Sequence, residues 1–251
     1  MRLIPIKTKV MKGQFDLFKT VKDSIIENKE EIIDNDILVI SSKFVSMSQG
    51  MFIKLDDIVA STKAKELAER YTMDPRIAEI VIRESDAILG GIEGFLLAVK
   101  NGVIAPNAGI DKSNIVKGYV ITYPKEPFKV ANDLRRRFKE EDLNVGIVFN
   151  DSRLMPSRRG TIGVAIAVSG FKPVRDLRGK EDLFGNKLRV TLHAIADSIA
   201  TAANLLMGES NEATPIVIVR DLEVDWDDKE FTWQDLAIEY DQCIYIKGLS
   251  Q

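Results

Sequence analysis

A single cysteine and a single histidine in 251 residues leave almost nothing for sulfur frameworks or soft-metal chemistry. Cys243 alone can close no intrachain disulfide, which fits a reducing compartment. No zinc or copper site of His and Cys can be assembled from one of each. No apolar run reaches the about 20 residues of a membrane-spanning helix. The opening Met1-Arg2-Leu3-Ile4-Pro5 carries no signal-peptide pattern, so a cytoplasmic setting is expected. Excess charge of one sign is also missing: 35 basic and 38 acidic residues give a formal charge of -3, which offers no broad footprint for nucleic acid or anionic lipid. Any anion site must be local.

Familiar nucleotide and nucleophile signatures are absent too. Gly179 and Gly185 flank Lys180-Glu181-Asp182-Leu183-Phe184, but the spacing is not that of a P-loop and two acids stand where phosphates would lie. Gly90-Gly91-Ile92-Glu93-Gly94 reads as a flexible turn before a strand, not as a dinucleotide loop. The lone His193 is predicted within a helix far along the chain from Ser41 and Ser42, which argues against a serine triad.

What is present is a mixed α and β pattern, with enough apolar content, 45%, to bury the core of one large domain or two modest ones. Short runs rich in Val, Ile and aromatics predict strands over Ile37 to Ile40, Phe95 to Val99, Tyr119 to Thr122, Val145 to Phe149, Ile162 to Val168, Ile216 to Val219 and Cys243 to Ile246. Helices are predicted over Asp16 to Asn28, Ser61 to Tyr71, Pro75 to Ile88, Val130 to Glu141, Leu192 to Met207 and Thr232 to Tyr240. Asp74-Pro75 reads as an N-cap followed by proline at the first helical position, and Gly208 as the residue that ends the alanine-rich helix. Pro124 and Pro127 mark a loop. Arg135, Arg136 and Arg137 read as a solvated helix face, and the acidic stretch from Asp221 to Lys229 as an exposed loop.

Three segments carry more polar punctuation than strands or simple turns need. Ala105 to Asn114 places Asp111 in a glycine-containing loop, Asn150-Asp151-Ser152-Arg153 begins where an apolar strand is predicted to stop, and Asn204 to Glu212 leaves a helix through Gly208. Glu209 follows a helix C-terminus, where the backbone dipole disfavours negative charge by about 0.3–1 kcal/mol. Brought together, Asp111, Asp151 and Glu209 would repel, by about 4 kcal/mol per close pair at an effective dielectric near 20. A cation reverses that sign. Carboxylates with the Ser152 hydroxyl and water make a shell for Mg²⁺ or Mn²⁺, and Lys43, Arg153, Arg158 and Arg159 are available for phosphate oxygens. On residue types alone the same acids also read as ordinary turn residues. Asp197, four residues after His193 and seven before Asn204, makes a helical stripe that faces either the site or solvent.

At these loops the chain resembles the coenzyme F420-0:L-glutamate ligases, the CofE-type gamma-glutamyl ligases. The collinear match runs from Ile37-Leu38-Val39-Ile40-Ser41-Ser42-Lys43 through Asn107 to Asn114, Asp151-Ser152 and Arg159-Gly160. It continues through Asp176 to Gly185, Ala196-Asp197 and Leu206-Met207-Gly208-Glu209 before Pro215, and reaches about Arg220.

The resemblance implies an α+β, mixed-sheet CofE-like fold of two intertwined subdomains, 1–88 with 190–251 and an inserted 89–189, assembled as a homodimer. It implies a GTP-dependent ligase that joins L-glutamate to the carboxylate of coenzyme F420-0 with Mg²⁺ or Mn²⁺ and, often, a monovalent cation such as K⁺. Asp111, Asp151 and Glu209 are then the catalytic acids, and they bind metal together with Ser152. Ser42, Lys43, Asn114 and the stretch Met207, Gly208, Glu209, Ser210, Asn211, Glu212, Ala213 and Thr214 lie near GTP, with Lys9 to Lys12 approaching it. The chain departs from the family pattern at Met47 and Gln49, where lysine and glutamate are common, and over Arg153 to Arg159. A related ligase for another carboxylate and a non-catalytic nucleotide binder are the competing readings.

Overall fold

Ile37-Leu38-Val39-Ile40, Ile147-Val148-Phe149 and Ile216-Val217-Ile218-Val219 are apolar at every position, the pattern of strands covered on both faces. The computed structural model, which describes residues 1–239 and 241–249, places all three runs side by side in one five-stranded sheet. In chain order the elements are β1 (Arg2–Ile6), α1 (Leu17–Glu27), β2 (Ile37–Ser41), α2 (Ser42–Ser48), β3 (Phe52–Lys54), α3 (Thr62–Arg70), α4 (Pro75–Glu84), β4 (Ala87–Ile92), β5 (Phe95–Lys100) and β6 (Val103–Pro106). They continue as β7 (Tyr119–Ile121), α5 (Pro127–Lys139), β8 (Gly146–Leu154), β9 (Thr161–Ser169), β10 (Val174–Asp176), β11 (Leu192–Ala194), α6 (Ile195–Met207), β12 (Ile216–Arg220) and α7 (Ile244–Leu249). The fold is α+β with a mixed main sheet, as expected.

The main sheet runs β1-β12-β2-β8-β9, antiparallel throughout except for the parallel pair β2 and β8. Side-chain alternation divides the core. Leu38, Ile40, Ile147, Phe149, Ile216 and Ile218 face a cluster with Phe18, Val21 and Ile25 of α1 and Leu134 and Phe138 of α5. Ile37, Val39, Val148, Val217 and Val219 face the opposite cluster with Ala196, Ile199, Ala200 and Ala203 of α6. The alanines let α6 lie close on the sheet: a Cβ on Gly163 would stand 2.3 Å from the Ala200 carbonyl oxygen. A third cluster is built from residues 55–120, where α3 and α4 cover Leu96 and Ala98 of the small sheet β4-β5-β6.

Local signals explain several boundaries. Asp16 accepts from the Lys19 N–H at 2.8 Å and begins α1, and Asp74 accepts from the Arg76 N–H at 2.9 Å with Pro75 as the first residue of α4. Gly208 ends α6 at φ 72.

Other expectations need correction. The helix from Pro75 stops at Glu84, because Ser85 turns extended and Ala87–Ile92 pairs with β5; an apolar run of that length suits strand as well as helix. Gly90 to Ile92 therefore belong to a strand, with the turn confined to Glu93 and Gly94. The helix from Leu192 starts only at Ile195, since Leu192–Ala194 pairs with β10 and carries an exposed His193. Pro127 opens α5 and does not sit in a loop. The stretch from Thr232 closes only a single 3-10 turn, Trp233–Asp235, and Tyr240 lies outside the described residues. Cys243 to Ile246 was expected as a strand, but Ile244–Leu249 is a short helix, with the Lys247 N–H on the Cys243 carbonyl at 2.9 Å.

Arg135 is not solvated: it is buried, donating to the Val145 carbonyl at 3.0 Å and Asn144 at 2.9 Å, and it pairs with Asp228 at 2.8 Å. The stretch from Asp221 likewise buries Val224 and bridges Phe171 to Trp226. Among the described residues no helix is long and apolar enough to cross a membrane.

Candidate active site

Because β2 and β8 are parallel, with Ser41 opposite Asn150, their carboxyl ends reach the same edge of the sheet. A cavity of about 540 Å³ opens there, closed in by the start of α2, the loop 105–114 and the turn 207–215. Strand β8 runs on past Phe149 to Leu154, so Asn150 to Arg153 are strand residues and not a strand-end loop. An irregularity between Phe149 and Asn150 shifts the pairing with β9. Such shifts re-aim side chains, and Asn150, Asp151 and Ser152 all line the cavity.

Asp151 occupies one side of the strand end. Its Oδ1 accepts from Ser42 Oγ at 2.7 Å and its Oδ2 from the Tyr123 hydroxyl at 2.6 Å. Both partners are neutral. Burial pushes the Asp151 carboxyl above the usual carboxylate range, more than the bonds from Tyr123, Ser42 and the Ser152 N–H pull it down, and the nearby charge of Asp111 adds to the rise. Burial and the Asp151 carboxylate hold the Tyr123 phenol well above its ordinary value, so it remains a donor. The ring packs against Gly109, where a Cβ would come within 2.3 Å of Tyr123 Cζ.

Asp111 is held differently. Burial raises its carboxyl, but Lys43 Nζ at 2.6 Å and the Ser113 N–H at 2.6 Å outweigh that and keep it below the usual range. Lys43 also donates to Ser113 Oγ at 2.8 Å, so the α2 start and the loop 105–114 are tied together. Asn114 Nδ2 donates to the Ser210 carbonyl at 2.6 Å and joins that loop to the turn after α6.

Glu209 lies across the strand end, on the Ser152 side. Its Oε1 accepts from Ser152 Oγ, Thr161 Oγ1 and Asn204 Nδ2, each at 2.8 Å. Glu212 accepts from the Ser210 N–H at 2.8 Å and fixes the turn, and a Cβ on Gly208 would strike Glu212.

Ser42, Lys43, Asp111, Asn114, Asp151, Ser152 and Met207 to Thr214, all singled out in the sequence as metal or nucleotide ligands, line this one cavity. Lys9 lines it as well, while Lys12 does not. The three acids share the space without closing into a cluster, and among the described residues no three Asp, Glu, His or Cys side chains form a ready-made metal site. Asp151 and Ser152 are consecutive in β8, with Asp151 held by Ser42 and Tyr123 and Ser152 donating to Glu209.

Arg153, Arg158 and Arg159 do not line the cavity, so of the cations proposed for phosphate only Lys43 does. Asp197 is structural, accepting from the Ala165 N–H at 2.9 Å. Gln49 brackets the Lys125 backbone at 2.8 and 2.9 Å. Tyr123, Asn150 and Thr161 were missed as site residues. The first two lie in or beside apolar strand runs, and Thr161 falls between the Arg159-Gly160 pair and the strand predicted from Ile162.

The donor set suits a hard divalent cation. It is made of carboxylate, hydroxyl and amide oxygens, Asp151 is desolvated without a cationic partner, and Asn150 Oδ1 is buried with no hydrogen bond.

A family model for F420-0:gamma-glutamyl ligase matches residues 5–221. The chain belongs to that family. The matched stretch contains the whole cavity, from Thr8 to Pro215. Among the relatives is a protein named coenzyme F420:L-glutamate ligase from Methanopyrus kandleri, 40% identical over 222 residues, which are 88% of this chain and 86% of the relative. Proteins of the same name from Methanothermobacter thermautotrophicus and Archaeoglobus fulgidus are 34% and 37% identical, over 82% of both chains in the first case and 80% of this chain and 81% of the relative in the second. The match to the gamma-glutamyl ligase family thus covers four of the five main-sheet strands in full, the end of β1, and the cavity.

Proposed function

We propose that the chain is a GTP-dependent ligase that joins the amine of L-glutamate to the carboxylate of coenzyme F420-0. The observation that carries this reading is a desolvated, uncompensated Asp151 beside Lys43, Asp111 and Glu209 in one cavity, in a chain whose relatives bear the name coenzyme F420:L-glutamate ligase.

A carboxylate and an amine do not condense in water unless a carboxylate oxygen becomes a leaving group. Phosphorylation supplies that. The acceptor carboxylate oxygen attacks the γ-phosphorus of GTP, the bond to the β–γ bridging oxygen breaks, and GDP departs. The glutamate amine then attacks the acyl carbon, the bond to the phosphate oxygen breaks, phosphate leaves, and the amine proton passes to solvent. Asp111, Asp151, Ser152 and Glu209 would hold Mg²⁺ or Mn²⁺, with K⁺ as a monovalent companion. When bound, the divalent ion neutralises charge on the phosphate oxygens.

The protein's own part is positioning. Lys43 supplies positive charge at the start of α2, Ser42 and Tyr123 orient Asp151, and Asn114 ties the loop 105–114 to the 207–214 turn around the nucleotide. The active species is proposed to be a homodimer.

A related acceptor is the second reading, favoured by the end of β8 and the turn that follows, where Arg153 Nε is buried with no hydrogen-bond partner among the described residues. The test is GTP consumption with L-glutamate and Mn²⁺, with and without F420-0. Turnover that requires F420-0 supports the first reading, and turnover indifferent to F420-0 rejects it.

A further inference from the structure

Glu209 is exposed at the rim of the cavity, a setting in which a carboxylate is ordinarily solvated on both oxygens. Here three neutral donors from three different elements converge on one of them. Ser152 comes from β8, Thr161 from β9 and Asn204 from α6, all at 2.8 Å from Oε1. Oε2 accepts no hydrogen bond from the described residues. One oxygen is saturated and the other is left open.

The clamp is directional. Asn204 Oδ1 accepts from Asn150 Nδ2 at 3.0 Å, which leaves the Asn204 amide hydrogens for Glu209; rotating the amide would set oxygen against carboxylate and amide against amide. Ser152 Oγ has one proton, and the Glu209 bond claims it, so the lone pairs of that hydroxyl stay free for another partner. Gly163 makes the approach possible: a Cβ there would meet the Ala200 carbonyl at 2.3 Å and Asn150 Oδ1 at 2.7 Å, driving α6 and Asn204 away from the hairpin. Thr161 stands opposite Leu154, at the root of the β8–β9 turn, and adds the contact of β9 with Glu209 to that of Ser152 in β8.

We propose that Thr161 and Asn204 are positioning residues which, by saturating Oε1, turn Oε2 of Glu209 toward the cavity as the oxygen that meets a divalent cation. This rests on the hard-cation reading of the site. Groups of this kind, which touch the metal's ligand and not the metal, commonly change metal affinity about 10–100-fold when removed.

The test uses the purified full-length chain with Mn²⁺ alone as the probe. Free Mn²⁺ is counted by electron paramagnetic resonance, and thermal unfolding is followed in parallel. Thr161→Val is expected to weaken Mn²⁺ binding about tenfold with Tm close to that of the parent, because the residue is exposed in a strand that valine suits. Thr161→Ser is expected to restore binding, since it returns the hydroxyl. Asn204→Ala should weaken binding in the same sense.

If Thr161→Val and Asn204→Ala bind Mn²⁺ like the parent while Glu209→Gln loses it, the positioning role falls and the ligase reading stands. The proposal also falls if Thr161→Ser binds as weakly as Thr161→Val, because the hydroxyl is then irrelevant. Parent-like Mn²⁺ binding by Glu209→Gln would overturn both the clamp and the assignment of this acid to a cation.

Discussion

Two aspartates stand at opposite ends of the parallel pair β2 and β8, and they are treated in opposite ways. Asp36, just before β2, is fully buried and accepts two bonds from Arg220, at 2.8 and 2.7 Å, and a third from the Ile33 N–H at 3.0 Å. Its charge is answered within the chain. Asp151, at the other end, is desolvated but receives only the neutral hydroxyls of Ser42 and Tyr123. Asp36 is fully buried and paired, whereas Asp151 is half-buried and held by neutral donors alone, the setting that a cation arriving from outside would complete. The difference separates scaffold from site without reference to any motif.

Replacing Asp151 should produce the largest change. Asp151→Asn is expected to lower GTP turnover by about 10²-fold or more while leaving the metal-free protein as stable as before, or more so. The sign follows from the raised folded value. Below the ordinary carboxylate range both folded and unfolded states are protonated and the substitution is neutral. As pH rises, the unfolded state ionises first and the parent loses stability relative to the variant until Asp151 itself ionises in the fold. Differential Tm measured from acid to neutral pH checks this, and a variant less stable than the parent at neutral pH would contradict it.

Asp36→Asn should do the reverse. Breaking a buried pair costs about 3–5 kcal/mol, or about 10 °C in Tm for a chain of this size. The activity of the remaining folded enzyme should stay near that of the parent. Equal losses of turnover in both variants would erase the contrast.

Smaller effects sharpen it. Lys43→Met removes the only cation among the described residues that touches Asp111 and leaves a half-buried carboxylate, so nucleotide binding should weaken by about tenfold, with a modest fall in Tm. Tyr123→Phe takes one of the two hydroxyls from Asp151. It should cost about 1–3 kcal/mol at neutral pH, and the loss should shrink in acid as Asp151 becomes protonated. An unchanged pH profile of stability would show that the phenol does not support the charged form.

Much of this arrangement was readable in the chain, and particular residues show why. The runs at Ile37, Ile147 and Ile216 name central strands because both faces are covered, and Asp16 and Asp74 name helix starts because their carboxylates cap backbone N–H groups. Asp111, Asp151 and Glu209 were legible as acids in polar loops or strand ends. The aim of Asn150, Asp151 and Ser152 was not, since the β8–β9 pairing shifts at Phe149 and Asn150, an irregularity that residue types do not announce.

Tyr123 escaped notice because its meaning lies in a contact with a residue 28 positions away. Arg135 was misread for a related reason: one step along α5 separates a buried guanidinium from the exposed Arg136 and Arg137, and only the packed sheet determines which face is which. The C-terminal segment failed most clearly. Cys243 to Ile246 has strand-forming residues but pairs with no strand among the described residues, and its backbone hydrogen bonds are made within the helix Ile244–Leu249 instead.

The claim at the centre is that the open charge of Asp151 is answered by a divalent cation that holds the nucleotide. Binding of GDP to the parent and to Asp151→Asn, measured by calorimetry with and without Mn²⁺, tests it directly. Mn²⁺ should strengthen GDP binding to the parent and do little for the variant. Equal strengthening in both, or none in the parent, would contradict it.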